Sequence, residues 1–139
     1  MFLVVDHASS VPIYQQIRAE VVAAIARGEL QPGDRLPSVR MLASDLGVNL
    51  HTVNKAYAIL RDEGHLDMRG RSGAFVTDAS RIAAPEAHAR AEARLSQALH
   101  ELALEHKARG GSLDDFMALA LDQARCAYGS DAYSGKDVR

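Results

Sequence analysis

The chain has 139 residues, 47% of them hydrophobic, with sixteen Lys+Arg against eighteen Asp+Glu and a formal charge of −2. That length allows one compact domain, or one domain with a small appendage, and excludes a large multidomain enzyme. The slightly acidic balance excludes coating nucleic acid or an anionic membrane by bulk charge, so any nucleic-acid binding must be local.

Phe2-Leu3-Val4-Val5 is a short β-prone run, and Ser9-Ser10-Val11-Pro12 then offers caps and a proline suited to a first helical position. Ile13, Ile17, Val21, Ala24 and Ile25 recur at spacings of four and three, which predicts an amphipathic helix closed by Gly28. Leu30 to Asp34 reads as a tight turn into a brief strand at Arg35-Leu36. Ser38 can cap a short helix that turns Val39, Leu42 and Ala43 inward; Gly47 breaks it, and a second helix runs from Asn49 to about Glu63, ended by Gly64. Ala43, Gly47 and Val53 fit a helix-turn-helix: a small residue where helices cross, a glycine for the sharp turn and a β-branched plug. Two strand-like runs, Leu66 to Arg69 and Ala74 to Thr77, flank the basic, glycine-rich Gly70-Arg71-Ser72-Gly73. Helix, helix-turn-helix and hairpin in that order predict a winged helix.

On the helix from Asn49, Val53, Ala56, Tyr57 and Leu60 form the buried stripe. The face left outside carries Leu50, His51, Asn54 and Lys55, with Asn49 and Thr52 at its edge. Asn reads adenine bidentately, Lys reaches guanine or phosphate, His and Thr bond either, and Leu50 can touch a thymine methyl. Arg40 falls in the first turn of the preceding helix, where free N–H groups and the helix dipole favour a phosphate. Arg69 and Arg71 bracket Gly70, whose bare backbone allows close approach to a minor groove or phosphate. Taken singly, each outward polar residue reads as ordinary solvated surface; only in combination with the hairpin do they indicate DNA.

The text from Pro12 to Val76 resembles the GntR family of bacterial transcriptional regulators. The matching words are Pro12 to Ile17, Gly28 to Ser38, Leu46-Gly47-Val48, Thr52-Val53 and Gly73 to Val76. Leu36 to Arg40, Asn49 and Lys55-Ala56-Tyr57 are closer to the short YtrA-type branch, as is the brief tail after Asp78. The resemblance implies DNA contacts at Arg40, Asn49, Leu50, His51, Thr52, Asn54, Arg69, Gly70 and Arg71. Two departures stand out. Many members carry arginine where Leu50 and Asn54 stand, so the common operator sequence is not assumed, and many carry glutamate where Met41 stands, leaving the capping box of Ser38 half made.

From Ala79 the chain becomes Ala/Leu/Glu/Arg helical text, although charge marks no boundary. Pro85 to about Arg109 predicts a helix of roughly 36 Å with Leu95, Leu99, Leu102 and His106 on one stripe. After Gly110-Gly111, Ser112-Leu113-Asp114-Asp115 opens another helix bearing Phe116, Met117, Ala120, Leu121 and Ala124. A two-helix hairpin cannot bury both its faces, so Leu95, Leu99, Leu102, Phe116, Met117 and Leu121 are expected to pair with a second copy, as the resemblance also implies; folding back on the winged helix is the alternative. The expected architecture is α+β and mainly helical: a winged helix-turn-helix over 1–78, a dimerisation hairpin over 79–128 and a flexible tail over 129–139.

No enzyme, metal or cofactor is expected. His100-Glu101 begins a zincin-like motif, but position 104 is Leu, and His106 lies about 240° around the helix from His100; both histidines read as surface or dimer-edge groups. Cys126, the single cysteine, reads as a small packed residue with no histidine within ten positions. The N-terminus lacks the pattern of a signal peptide and no stretch approaches ~20 apolar residues, so a cytoplasmic location and no membrane are expected. The function expected is a homodimeric repressor on a palindromic double-stranded DNA operator, against the alternative of a winged-helix protein-interaction module. A small-molecule effector, of unspecified identity, would have room only between subunits.

Overall fold

The computed structural model describes residues 3–78 and 85–129. The order is α1 (Ile13–Ala26), α2 (Val39–Leu46), α3 (Leu50–Asp62), β1 (Leu66–Met68), a 3₁₀ turn (Gly70–Ser72), β2 (Ala74–Val76), α4 (Pro85–Ala108) and α5 (Leu113–Tyr128). The chain divides into two compact units, Met1–Ala83 and Ala84–Arg139. The boundary expected near residue 79 falls among residues 79–84 and the expected tail is mostly residues 130–139, both outside the described residues.

In the first unit α3 is the hub, packing on α1, α2 and β1. Ile17, Val21 and Ala24 of α1 meet Leu42 and Ala43 of α2 and Val53, Ala56, Tyr57 and Leu60 of α3, with Leu66, Ala74 and Val76 closing the core from the hairpin. Periods of 3.6 on the helices and two on β2 thus converge on one apolar interior. β1 and β2 pair antiparallel with Leu66 opposite Val76 and Met68 opposite Ala74. The segment before α2 adds to the other edge of β2: Gly33 N–H donates to Val76 O at 2.8 Å, Leu36 N–H to Ala74 O at 2.9 Å, and Arg35 bridges Phe75.

The expected β-run at Phe2–Val5 forms no strand over its described residues 3–5. Leu3 and Val5 pack on the core and Val4 faces out, as in an extended chain, but no ladder partner is present among the described residues. What fixes this segment is Gln16, whose amide accepts from Asp6 N–H at 2.8 Å and donates to the carbonyls of Asp6 and Val11 at 2.9 Å each. Pro12 is the N-cap of α1, one position before the first helical residue.

The turn between α2 and α3 is fixed by Gly47 at φ +65°, with Val48 N–H donating to Ala43 O at 3.0 Å. A Cβ there would meet nothing within 4 Å, so Gly47→Ala carries only a backbone penalty. We expect it to lower stability by about 1–2 kcal/mol, read as a shift in urea midpoint without a change in slope.

In the second unit none of the described side chains is buried. α4 ends in a Schellman turn, Gly111 N–H donating to His106 O at 2.9 Å and Gly110 N–H to Lys107 O at 3.0 Å. Ser112 Oγ then caps α5 by accepting from Asp115 N–H at 3.1 Å. Two side chains here depart from a simple surface-or-core division. His106, expected at the surface or a dimer edge, is half-buried: its ring lies where a Cβ on Gly111 would stand and packs on Phe116, ring centroids 5.7 Å apart, because the bare glycine leaves that space. Cys126 is exposed, not packed, since nothing described covers its face of α5.

Candidate nucleic-acid interface

Ser38 and Asn49 start the two helices of the helix-turn-helix. Ser38 Oγ accepts from Met41 N–H at 3.2 Å and Asn49 Oδ1 from His51 N–H at 2.8 Å. Met41, in the place that would complete a capping box, makes no return bond and is exposed. Arg40 is exposed in the first turn of α2, one residue past the start of the helix, where the orphan N–H groups and the helix dipole add to its charge. Tyr57 OH donates to Pro37 O at 2.7 Å and ties the entry of α2 to the middle of α3.

Along α3, Leu50, His51, Asn54 and Lys55 are exposed and Thr52 is half-buried. Asn54 makes no hydrogen bond among the described residues, so both edges of its amide are available to an adenine. Asn49 differs from expectation: its oxygen is engaged in the cap, and only its NH₂ remains to donate outward. Lys55 also differs, for its ammonium lies 4.0 Å above the Tyr14 ring of α1. That contact orients the cation without neutralising it.

The hairpin tip is a 3₁₀ turn with Gly70 at φ +56° and open space at its absent Cβ. Arg71 projects there, exposed. Arg69 turns back, its guanidinium 4.6 Å from the centre of the Phe75 ring. Gly73, at φ +104° and ψ −161°, holds a conformation essentially confined to glycine.

Charge pairing separates these cations from the rest. The first 78 residues contain eight Lys+Arg. Arg18 forms a two-pronged bridge to Glu63, its Nε 2.7 Å from one carboxylate oxygen; Arg27 meets Glu29 at 3.9 Å and Arg61 meets Asp62 at 3.0 Å. Arg35, Arg40, Lys55, Arg69 and Arg71 have no carboxylate partner among the described residues. The five unneutralised cations are those of the helix-turn-helix, the hairpin and the strand-like edge beside it. Arg35 was not singled out by sequence reasoning, because its signal is tertiary: only the bridge to Phe75 brings it to the wing.

The residues expected to pair two copies split by exposure. Leu95, Leu99, Leu102 and Met117 are 44–60% exposed, while Phe116 and Leu121 are half-buried. An apolar groove of about 430 Å³ runs between α4 and α5 past Leu99, Leu102, Phe116 and Leu119. No helix described is long and apolar enough to cross a membrane.

Residues 13–76 match the family described as bacterial regulatory proteins, gntR family. The HTH-type transcriptional regulator Rv1152 of Mycobacterium tuberculosis is 41% identical over 88 residues, 60% of this chain and 73% of that protein. The HTH-type transcriptional repressor YtrA of Bacillus subtilis is 43% identical over 75 residues, 53% of this chain and 57% of that protein. Among solved structures, YtrA from Sulfolobus acidocaldarius, a GntR-family transcription factor, superposes with a TM-score of 0.53 and 49% identity, covering 56% of this chain and 82% of that one.

Proposed function

Because this chain belongs to the GntR family of bacterial regulatory proteins, with the family's DNA-binding winged helix and a likeness to YtrA-type members, we propose that it is a homodimeric repressor acting in the cytoplasm on a roughly palindromic operator. The observation that carries the reading is the set of unneutralised cations on the helix-turn-helix and wing, in a protein of net negative charge. Unpaired surface cations supply the local positive field that duplex phosphate requires. Arg40 holds a phosphate at the start of α2, Lys55, Arg69 and Arg71 add charge beside it, and Gly70 lets the wing backbone approach. Asn54 reads a base edge, with Leu50, His51, Thr52 and the NH₂ of Asn49 lining the same end of α3.

The dimer is supported by the second unit, whose described residues leave eight large apolar side chains 44–83% exposed and none fully buried. Two recognition helices on one dimer would read half-sites about 34–36 Å apart. Repression would follow from occupancy of such a site in a promoter; the Bacillus relative is named a transcriptional repressor. An effector would occupy space completed by the second subunit.

A gel-shift titration against duplex selected from random sequence tests the reading. Arg40→Ala is expected to weaken binding to all sequences and to lower the slope of log affinity against log salt by about one. Asn54→Ala is expected to relax preference at one base pair, by about 1–3 kcal/mol of discrimination. DNA affinity unchanged by both substitutions would instead favour a protein-interaction module.

A further inference from the structure

We propose that Arg35 is a further DNA-phosphate contact, carried on the flank of the wing in a cradle made by Gly73. Nothing in the linear sequence groups Arg35 with the hairpin. The turn at Gly33, φ +87°, sends Asp34–Leu36 along the free edge of β2, where Val76 N–H donates to Asp34 O at 2.8 Å and Leu36 N–H donates to Ala74 O at 2.9 Å. Leu36 is buried, so the two-residue period of extended chain turns Arg35 outward. Its bridge partner Phe75 also lies on the outer face, between buried Ala74 and Val76, and residues directly opposite share a face.

The Arg35 side chain then runs toward the tip. Its Nε lies 3.2 Å and one Nη 3.5 Å from the point where a Cβ on residue 73 would stand. Gly73 therefore serves twice: its backbone needs φ +104°, and its missing side chain leaves the channel in which the guanidinium rests. Arg69, just past β1, covers the ring of Phe75, the bridge partner of Arg35, so a second guanidinium lies on the same wing. Asp67, opposite Phe75 in the register, and Asp78 line a pocket with Arg69, and neither arginine forms an ion pair with Asp67. A guanidinium held by packing and left without a carboxylate is suited to a phosphate oxygen, which it can bind with two parallel N–H groups.

The proposal rests on the DNA-binding reading above, and the test separates the two. Fluorescence anisotropy on a mixed-sequence duplex, across a salt series, compares the wild type with Arg40→Ala, Arg35→Ala and Arg35→Lys, with thermal melts alongside. Arg35→Ala is expected to leave the melt unchanged and lower the salt slope by about one, so that the affinity lost between about 50 and 200 mM salt shrinks by about three- to fourfold. Arg35→Lys is expected to restore the slope. A wild-type slope in Arg35→Ala, with a lowered slope in Arg40→Ala, overturns the role of Arg35 and leaves DNA binding standing. A weakened complex with a lowered melt that lysine does not rescue assigns Arg35 to propping the wing, and also overturns the proposal. Failure of the wild type to bind any duplex overturns the underlying reading.

Discussion

Replacing Leu99 and Leu102 together by aspartate is expected to convert the proposed dimer to monomers and to cut affinity for a two-half-site operator by about 10²- to 10⁴-fold. The two leucines are 44% and 55% exposed on α4 and line the groove closed by Phe116 and Leu119 of α5. Covering such side chains stabilises association by up to about 1.5–3 kcal/mol each, whereas a carboxylate forced into the same apolar contact loses its hydration. The proposed DNA contacts are untouched, so affinity for a duplex carrying a single half-site should not change. Sedimentation equilibrium reports the assembly and anisotropy on the two duplexes reports the avidity. A double variant that remains dimeric, or one that is monomeric yet binds both duplexes as the wild type does, would remove the C-terminal hairpin from the mechanism.

The winged helix was legible in the sequence because its signals are local. Ser38 and Asn49 announce helix starts, Gly47 and Gly64 announce ends, and the stripe Val53, Ala56, Tyr57, Leu60 is buried as its spacing predicts. These features depend on neighbours within a few residues, where side-chain period and capping chemistry dominate. Phe2–Val5 misled for the opposite reason: β-propensity describes fitness for a ladder, and a ladder needs a partner edge that local sequence does not specify. His106 and Gly111 are five residues apart, yet the ring's seat on the turn follows from the Schellman geometry, which a helix projection stops short of. Within the candidate interface, residue identities were legible and their engagements were not. That Lys55 lies over Tyr14 and that Arg35 reaches Gly73 are consequences of packing between elements, whereas the oxygen that Asn49 spends on its cap is a local cost of starting the helix. The carboxylate pairing that separates Arg18, Arg27 and Arg61 from the other cations is likewise invisible to a count of charges.

Tyr57→Ala is expected to destabilise the first unit by about 3–5 kcal/mol, a large part of the roughly 5–15 kcal/mol that holds a domain of ordinary stability. Tyr57 is the largest fully buried side chain of the core and belongs to α3, the helix on which α1, α2 and β1 pack, so the cavity would open at the hub. Tyr57→Phe separates the ring from the hydroxyl. It keeps the packing but leaves Pro37 O without the donor 2.7 Å away, for a loss of about 1–3 kcal/mol, and it frees the entry to α2 from which Arg40 projects. DNA affinity should therefore fall further in the phenylalanine variant than its midpoint shift alone would suggest under conditions where it remains folded. The alkaline limb adds a sign. Burial raises the pKa of the Tyr57 phenol above its ordinary value, so the unfolded chain releases that proton at lower pH than the folded one. The resulting stability is fully present below about pH 10 and is lost as pH rises beyond it. Urea melts on either side of that pH should show a steeper alkaline loss for the wild type than for Tyr57→Phe. Equal losses would mean that the phenol is not held neutral in the core, and that its tie to Pro37 does not persist in solution.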